Sequence, residues 1–303
     1  MNIKSWIQAA RLRTLPLSVS GIIMGCGLSD FNPFLTLGGV VYNYSIFILC
    51  LLTTISFQVL SNFANDYGDG VKGTDVNRKG EKRLVASGEI SAKAMRNAMK
   101  ITAVIALILS ILTLYVAFGA DHFLYFSVFI FLGIASIIAA IKYTVGKNAY
   151  GYSGFGDLFV FLFFGLLSTV GGYFLYTQNL KWDIFLPAIS VGLFSVSVLN
   201  LNNMRDQVED KKNKKNTLVV KLGSQKAKIY HFSLIVIALL SALSFVAFNF
   251  YNWTQFFFLI SFIPLLIHLK KVSKTEDFSK FDPELKKVAL STFLFAILFV
   301  IFN

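Results

Sequence analysis

Apolar runs about as long as a bilayer is thick recur down most of this chain, and they leave little room for a water-soluble fold. A membrane-spanning helix needs about 20 mainly apolar residues. Such stretches fall at 15–38, 44–65, 101–118, 123–141, 155–175, 184–203, 229–249, 253–269 and 288–302. Only 15% of the residues are charged, against about 25% in soluble domains. The pattern predicts an all-α integral membrane protein with nine transmembrane helices, a single polytopic domain over 1–303.

Charge orients the bundle, because short cytoplasmic loops collect Lys and Arg. With the N-terminus cytoplasmic and the C-terminus outside, every one of the 28 basic residues except Lys181 faces the cytoplasm. The net charge of +12 is spread over inner loops beside apolar helices, which suits anionic membrane lipid rather than nucleic acid. Met1 to Arg13 and the apolar run after it resemble a signal peptide but lack a small-residue cleavage site, so they read as a retained first helix. Cys26 and Cys50 lie within spans and offer no disulfide or metal framework.

Two acidic runs break the apolar pattern where a span meets a basic loop: Asn62 to Asp75 and Asn202 to Asp210. Unpaired charge beside a membrane is costly, so clustered acids there mark function. Asp66 and Asp69 lie one helical turn apart, as do Asp206 and Asp210, and each pair can aim its oxygens at one region. Hard oxygen ligands of this kind suit Mg²⁺, which binds through one or two carboxylates plus substrate phosphates. Asp75 stands close behind, and Asn62 and Asn202 can add side-chain oxygens without charge. Lys72, Arg83, Arg205 and Lys214 complete a cradle for a diphosphate, and Tyr143 in the next inner loop can reach one of its oxygens. A diphosphate at the water side of an apolar bundle implies an amphiphile with its tail among the helices.

The loops after the two acidic runs resemble each other, each passing a Leu-Val step and a Gly before a new helix opens. This predicts a duplicated unit with halves at about 44–118 and 184–250, and N-caps at Ser91 and Ser224. Asp157 reads as the cap of another helix, and Ser273 to Asp282 as a solvated connector. Gly68 to Gly73 matches G-x-G-x-x-G, but no strand precedes it, so it is not a dinucleotide site. His122, His231 and His268 are isolated along the chain and suit polar interface roles.

Asn62-x-x-x-Asp66-x-x-Asp69-x-x-Lys72-Gly-x-Asp75 and Asn202-Asn-x-Arg205-Asp206-x-x-x-Asp210 resemble the two signature motifs of the intramembrane aromatic prenyltransferases, the UbiA superfamily. Ala10-Arg-Leu-Arg-Thr-Leu-Pro16, Arg83 to Ser91 and Tyr152-x-Gly-x-Gly-Asp157 support the resemblance, which is nearest to the branch that prenylates 1,4-dihydroxy-2-naphthoate in menaquinone biosynthesis. It implies nine helices around a central cavity, a polyprenyl diphosphate donor, an aromatic acceptor, Mg²⁺ as cofactor, and a cytoplasm-facing site in the inner membrane. By the same resemblance Asp66, Asp69, Asp206 and Asp210 hold the metal, supported by Asn62, Asp75 and Asn202. Lys72, Arg83, Arg205, Lys214 and Tyr143 address the diphosphate. Transfer to 4-hydroxybenzoate, homogentisate or haem is the nearer alternative, and a secondary transporter the more distant one.

Overall fold

The computed structural model describes residues 3–29, 41–74 and 82–303, and these residues form helices and loops with no strand among them. Short α1 (Ile3–Ala10) and α2 (Leu15–Gly27) precede the long α3 (Val41–Lys72). Then come α4 (Ala92–Phe118), α5 (Phe123–Lys142), α6 (Gly156–Thr177) and α7 (Phe185–Lys212). The chain closes with α8 (Leu218–Leu222), α9 (Ser224–Phe248), α10 (Phe262–Lys274, entered through a 3-10 stretch at Trp253–Ser261) and α11 (Asp282–Phe302).

Among the described residues, eight helical segments are long and apolar enough to cross a membrane, which makes this a multi-pass protein. Helix α2 has 13 residues, short of the roughly 20 that a span needs. Residues 30–40 of the ninth expected span, 15–38, and of the outer turn after it lie outside the described set.

Two spans run further than their hydropathy indicates. Helix α3 continues past Asn65 to Lys72, and α7 past Asn203 to Lys212, so both acid pairs sit on helical turns instead of in loops. Donors supplied from elsewhere in the fold make those polar turns sustainable, as described below.

Helix α7 is the central post, packed by α2, α6, α9 and α11. In lipid, helices associate through close packing rather than through a hydrophobic drive, and small residues permit it. A Cβ on Gly165 of α6 would lie 2.6 Å from Gly192 Cα and 2.8 Å from Ala188 O, so the two backbones touch there. Further round the post, Phe194 packs its ring on Phe262 and Phe295 at centroid distances of 5.6 and 5.4 Å. Gly165 lies in a π-helical stretch, Phe161–Leu167, that widens α6 where it borders a cavity.

Several local expectations change. Ser91 does cap α4, accepting from Ala94 N, but Ser224 caps nothing: Gly223, at φ 76°, precedes α9, and the Ser224 hydroxyl donates to Gln207. In the second loop the short helix α8 intervenes before α9, and Thr217 caps it. Asp157 lies inside the first turn of α6 and accepts from the Tyr230 hydroxyl at 3.0 Å, so it is a helix-to-helix tie rather than a cap. His231 and His268 are not isolated. Their Nε2 atoms meet at 2.8 Å, and His268 Nδ1 lies 2.7 Å from Glu284, itself paired with Lys271 and Lys287. Sequence distance hid this buried link between α9, α10 and α11.

Candidate active site

The last two turns of α3 and of α7 bring four carboxylates to one end of the bundle, all buried, with none more than 8% exposed. Each is held by a donor from another part of the chain or by a neighbouring base. Asp66 accepts two backbone N–H bonds, from Leu84 at 3.0 Å and Val85 at 2.8 Å, and so folds the loop after α3 back onto the helix. Asp69 accepts from the Tyr152 hydroxyl at 2.7 Å, and Arg83 Nη2 stands 3.6 Å from its other oxygen. The Arg205 fork grips both oxygens of Asp206, at 2.8 and 2.9 Å. Lys215 Nζ lies 3.7 Å from Asp210.

The loop between α5 and α6 joins the two acid pairs. Thr144 docks on α3 through its hydroxyl bond to Ala64 O at 2.9 Å, against Gly68, where a Cβ would sit 2.7 Å from Thr144 Oγ1. Lys72 Nζ donates to Thr144 O at 2.8 Å and stacks 4.0 Å from the centre of the Tyr152 ring. Lys215, from the α7 side, faces the same ring at 5.3 Å. Tyr152 O accepts from Asn216 N at 2.9 Å, and Asn213 Nδ2 donates to Thr74 O at 3.0 Å. Burial, with the nearby charges of Asp157, Asp69 and Asp210 and the Tyr150 hydroxyl, pushes the Tyr143 hydroxyl well above its ordinary range. Tyr143 therefore stays neutral and keeps its proton to donate. Tyr150 is raised in the same direction by burial.

Of the remaining residues singled out, Asn62 donates to Ala10 O at 2.8 Å and Thr14 Oγ1 at 3.3 Å, while Asn202 accepts from Arg205 at 2.7 Å. Lys214 stands exposed at a turn with φ 56°, and it is Lys215 that reaches an acid. Asp75 lies outside the described residues. Tyr152 and Asp282 escaped the sequence reading as site residues. Tyr152 had a signal, in the glycine-spaced motif it opens, but Asp282 had none within a lysine-rich connector.

Beside Asn62, Asn65 and Tyr143 opens a cavity of about 330 Å³ that runs between α3, α4, α5 and α6 to Cys50, Leu114 and Leu175. Several of its hydroxyls are satisfied within their own helices, as in Ser110 to Ala106 O and Thr113 to Leu109 O, both 2.7 Å, and Ser136 to Leu132 O at 2.8 Å, while Ser18 donates to Gln58 at 2.7 Å. The wall is therefore apolar in effect and set with rings such as Phe57, Phe129, Phe159 and Phe163. A second chamber of about 180 Å³, lined by Arg11, Arg13, Asn202 and Lys286, adjoins it through shared residues Gln58, Val160, Phe164 and Leu199.

The donor set fits a hard divalent cation, since the buried groups offered are carboxylate oxygens and the side-chain oxygens of asparagines. Among the described residues no three acids, histidines or cysteines are grouped closely enough to hold an ion by themselves.

An all-helical, multi-pass bundle with buried acid pairs on two helices, basic side chains beside them and an apolar chamber alongside suits a membrane enzyme that handles an amphiphile. The family model for the UbiA prenyltransferase family matches residues 31–300. The chain belongs to that family. It is 39% identical over 300 residues to the 1,4-dihydroxy-2-naphthoate octaprenyltransferase of Haemophilus influenzae, covering 98% of this chain and 95% of that one. Identity to the Escherichia coli enzyme of the same name is 38%, covering 98% and 94%. In fold it is similar to a UbiA homolog from Archaeoglobus fulgidus bound to GPP and Mg²⁺, with a TM-score of 0.66 at 15% identity, covering 98% and 97% of the two chains.

Proposed function

We propose that this chain transfers a polyprenyl group from its diphosphate to 1,4-dihydroxy-2-naphthoate, releasing diphosphate and carbon dioxide and giving demethylmenaquinol, the reduced form of demethylmenaquinone. The observation that carries the reading is the link between Asp69 of α3 and Asp210 of α7 through Tyr152 and Lys215, near an apolar cavity lined by Asn62, Asn65 and Tyr143. The near-full-length likeness to naphthoate octaprenyltransferases supports the choice of acceptor.

Asp66, Asp69, Asp206 and Asp210 are the residues that would hold Mg²⁺, with Asp75, Asn62 and Asn202 in support. Bound there, Mg²⁺ supplies charge stabilisation to the departing diphosphate. Lys72, Arg83 and Lys215 face the same region and add positive charge as the allylic carbon–oxygen bond breaks and its electron pair moves to the diphosphate oxygen. The neutral Tyr143 hydroxyl donates a hydrogen bond to that developing negative charge. Lys214 is one residue from Lys215 and adds to the same field. The apolar cavity receives the chain and keeps water from the cation, while ring faces such as Phe159 and Phe163 stabilise it. The adjoining basic chamber suits the carboxylate of an aromatic acid.

The arrangement reads as nine spans, the ninth being 15–38, with the N-terminus cytoplasmic and the C-terminus outside, in the inner membrane. Lys and Arg crowd the end that carries the acids, which supports a cytoplasm-facing site. The hairpins 44–118 and 184–250 read as a duplicated unit, each ending its first helix in an acid pair.

The test is a competition. Protein in lipid nanodiscs receives octaprenyl diphosphate, Mg²⁺ and equal amounts of 1,4-dihydroxy-2-naphthoate and 4-hydroxybenzoate, and products are identified by mass spectrometry. Consumption of the naphthoate alone, with carbon dioxide released, is expected. A prenylated 4-hydroxybenzoate as the main product contradicts the assignment.

A further inference from the structure

Asp282 opens α11, far along the chain from both acid pairs, yet two arginines that belong to the site meet on it. Its Oδ1 accepts from Arg205 Nη1 at 2.6 Å, and its Oδ2 accepts from Arg13 Nη1 at 3.4 Å. Arg205 turns its other edge on Asp206 with Nε and Nη2, and Nη2 also donates to Asn202 at 2.7 Å. Every nitrogen of that guanidinium already donates to a protein oxygen. Arg13 neighbours Thr14, whose hydroxyl oxygen accepts from Asn62, one turn before Asp66 on α3. A continuous polar path therefore runs from Asn62 through the loop 11–14, Asp282 and Arg205 to Asp206.

We propose that Asp282 is a positioning residue for the cation site: it holds Arg205 in the pose that fixes the Asp206 carboxylate, and it ties that acid to the loop seating Asn62. This rests on Asp206 being a metal ligand, as read above. A forked pair fixes the plane of a carboxylate but uses only part of its acceptor capacity, so Asp206 keeps lone pairs for an ion. A guanidinium beside a metal ligand also repels the metal unless its charge is offset. Asp282 offsets it from the far side, leaving Arg205 an orienting group rather than a competitor. Removing the outer partner of a metal ligand typically lowers metal affinity about 10- to 100-fold.

A bystander that merely starts α11 would affect stability and leave affinity alone, because an acid at a helix N-terminus favours the helix dipole. The experiment separates the two. Uptake of Mn²⁺ in the presence of inorganic pyrophosphate is followed by the electron paramagnetic resonance of the free ion, for the full-length parent, Asp282→Asn and Asp282→Glu, alongside metal-free thermal unfolding. Expected are about 10-fold weaker Mn²⁺ binding in Asp282→Asn, near-parental binding in Asp282→Glu, and similar unfolding midpoints. Equal affinity in Asp282→Asn and the parent overturns the proposal. So does an equal loss in both variants that tracks a lowered midpoint. A parent that takes up no Mn²⁺ contradicts the metal reading of Asp206 itself, and this role with it.

Discussion

The Tyr152 hydroxyl donates to Asp69 Oδ1 at 2.7 Å, while the ring it belongs to lies between Lys72 and Lys215. One residue thus touches the acid pair of α3 and the basic side chain that faces the acid pair of α7. Hydrogen bonds to charged groups contribute about 1.5–3 kcal/mol, and cation–π contacts about 0.5–2 kcal/mol. Tyr152→Phe, which keeps the ring, is expected to lower kcat/KM for the prenyl diphosphate about 10-fold, in line with those energies. Tyr152→Ala should cost more, since both lysines lose their seat. Steady-state kinetics against donor concentration check the order.

Asp66 and Asp69 are one turn apart but do different work. Asp66→Ala leaves the buried N–H of Leu84 and the half-buried N–H of Val85 without their acceptor, at a cost of about 1–3 kcal/mol for the buried one and less for the other. Asp69→Ala frees a tyrosine hydroxyl and loosens an arginine, with no backbone group orphaned. Thermal unfolding of the metal-free proteins should therefore show Asp66→Ala well below the parent and Asp69→Ala near it, although both lose turnover.

The same contrast shows what the chain disclosed before its fold was known. Acid spacing and hydropathy revealed the paired carboxylates and the spans, because both are local periodic patterns. Local pattern said nothing of who neutralises each acid. Arg205 is occupied by Asp282 across the bundle, and Lys215 rather than Lys214 turns inward because Lys214 takes the left-handed turn position. The His231–His268–Glu284 link likewise joins three helices whose contact no spacing rule encodes. Hydropathy alone ends α3 and α7 too early for a related reason. Hydropathy falls at Asp66 and Asp206, yet donors from distant loops let the helices continue.

Tyr143 provides a pH test. Burial, the largest cause, raises its hydroxyl above the ordinary value of about 10, so the folded protein keeps a proton that the unfolded chain loses. Its contribution to stability is complete below about pH 10 and declines as pH rises above that. Thermal midpoints measured from pH 8 to 11 should fall less steeply in Tyr143→Phe than in the parent.

Whether acids from α3 and α7 together hold a divalent ion and the donor diphosphate is decided by calorimetric titration of geranylgeranyl diphosphate into nanodisc-embedded protein. Binding should require Mg²⁺ and should be lost in both Asp69→Asn and Asp206→Asn. Tight binding without Mg²⁺ that survives both substitutions would contradict the account.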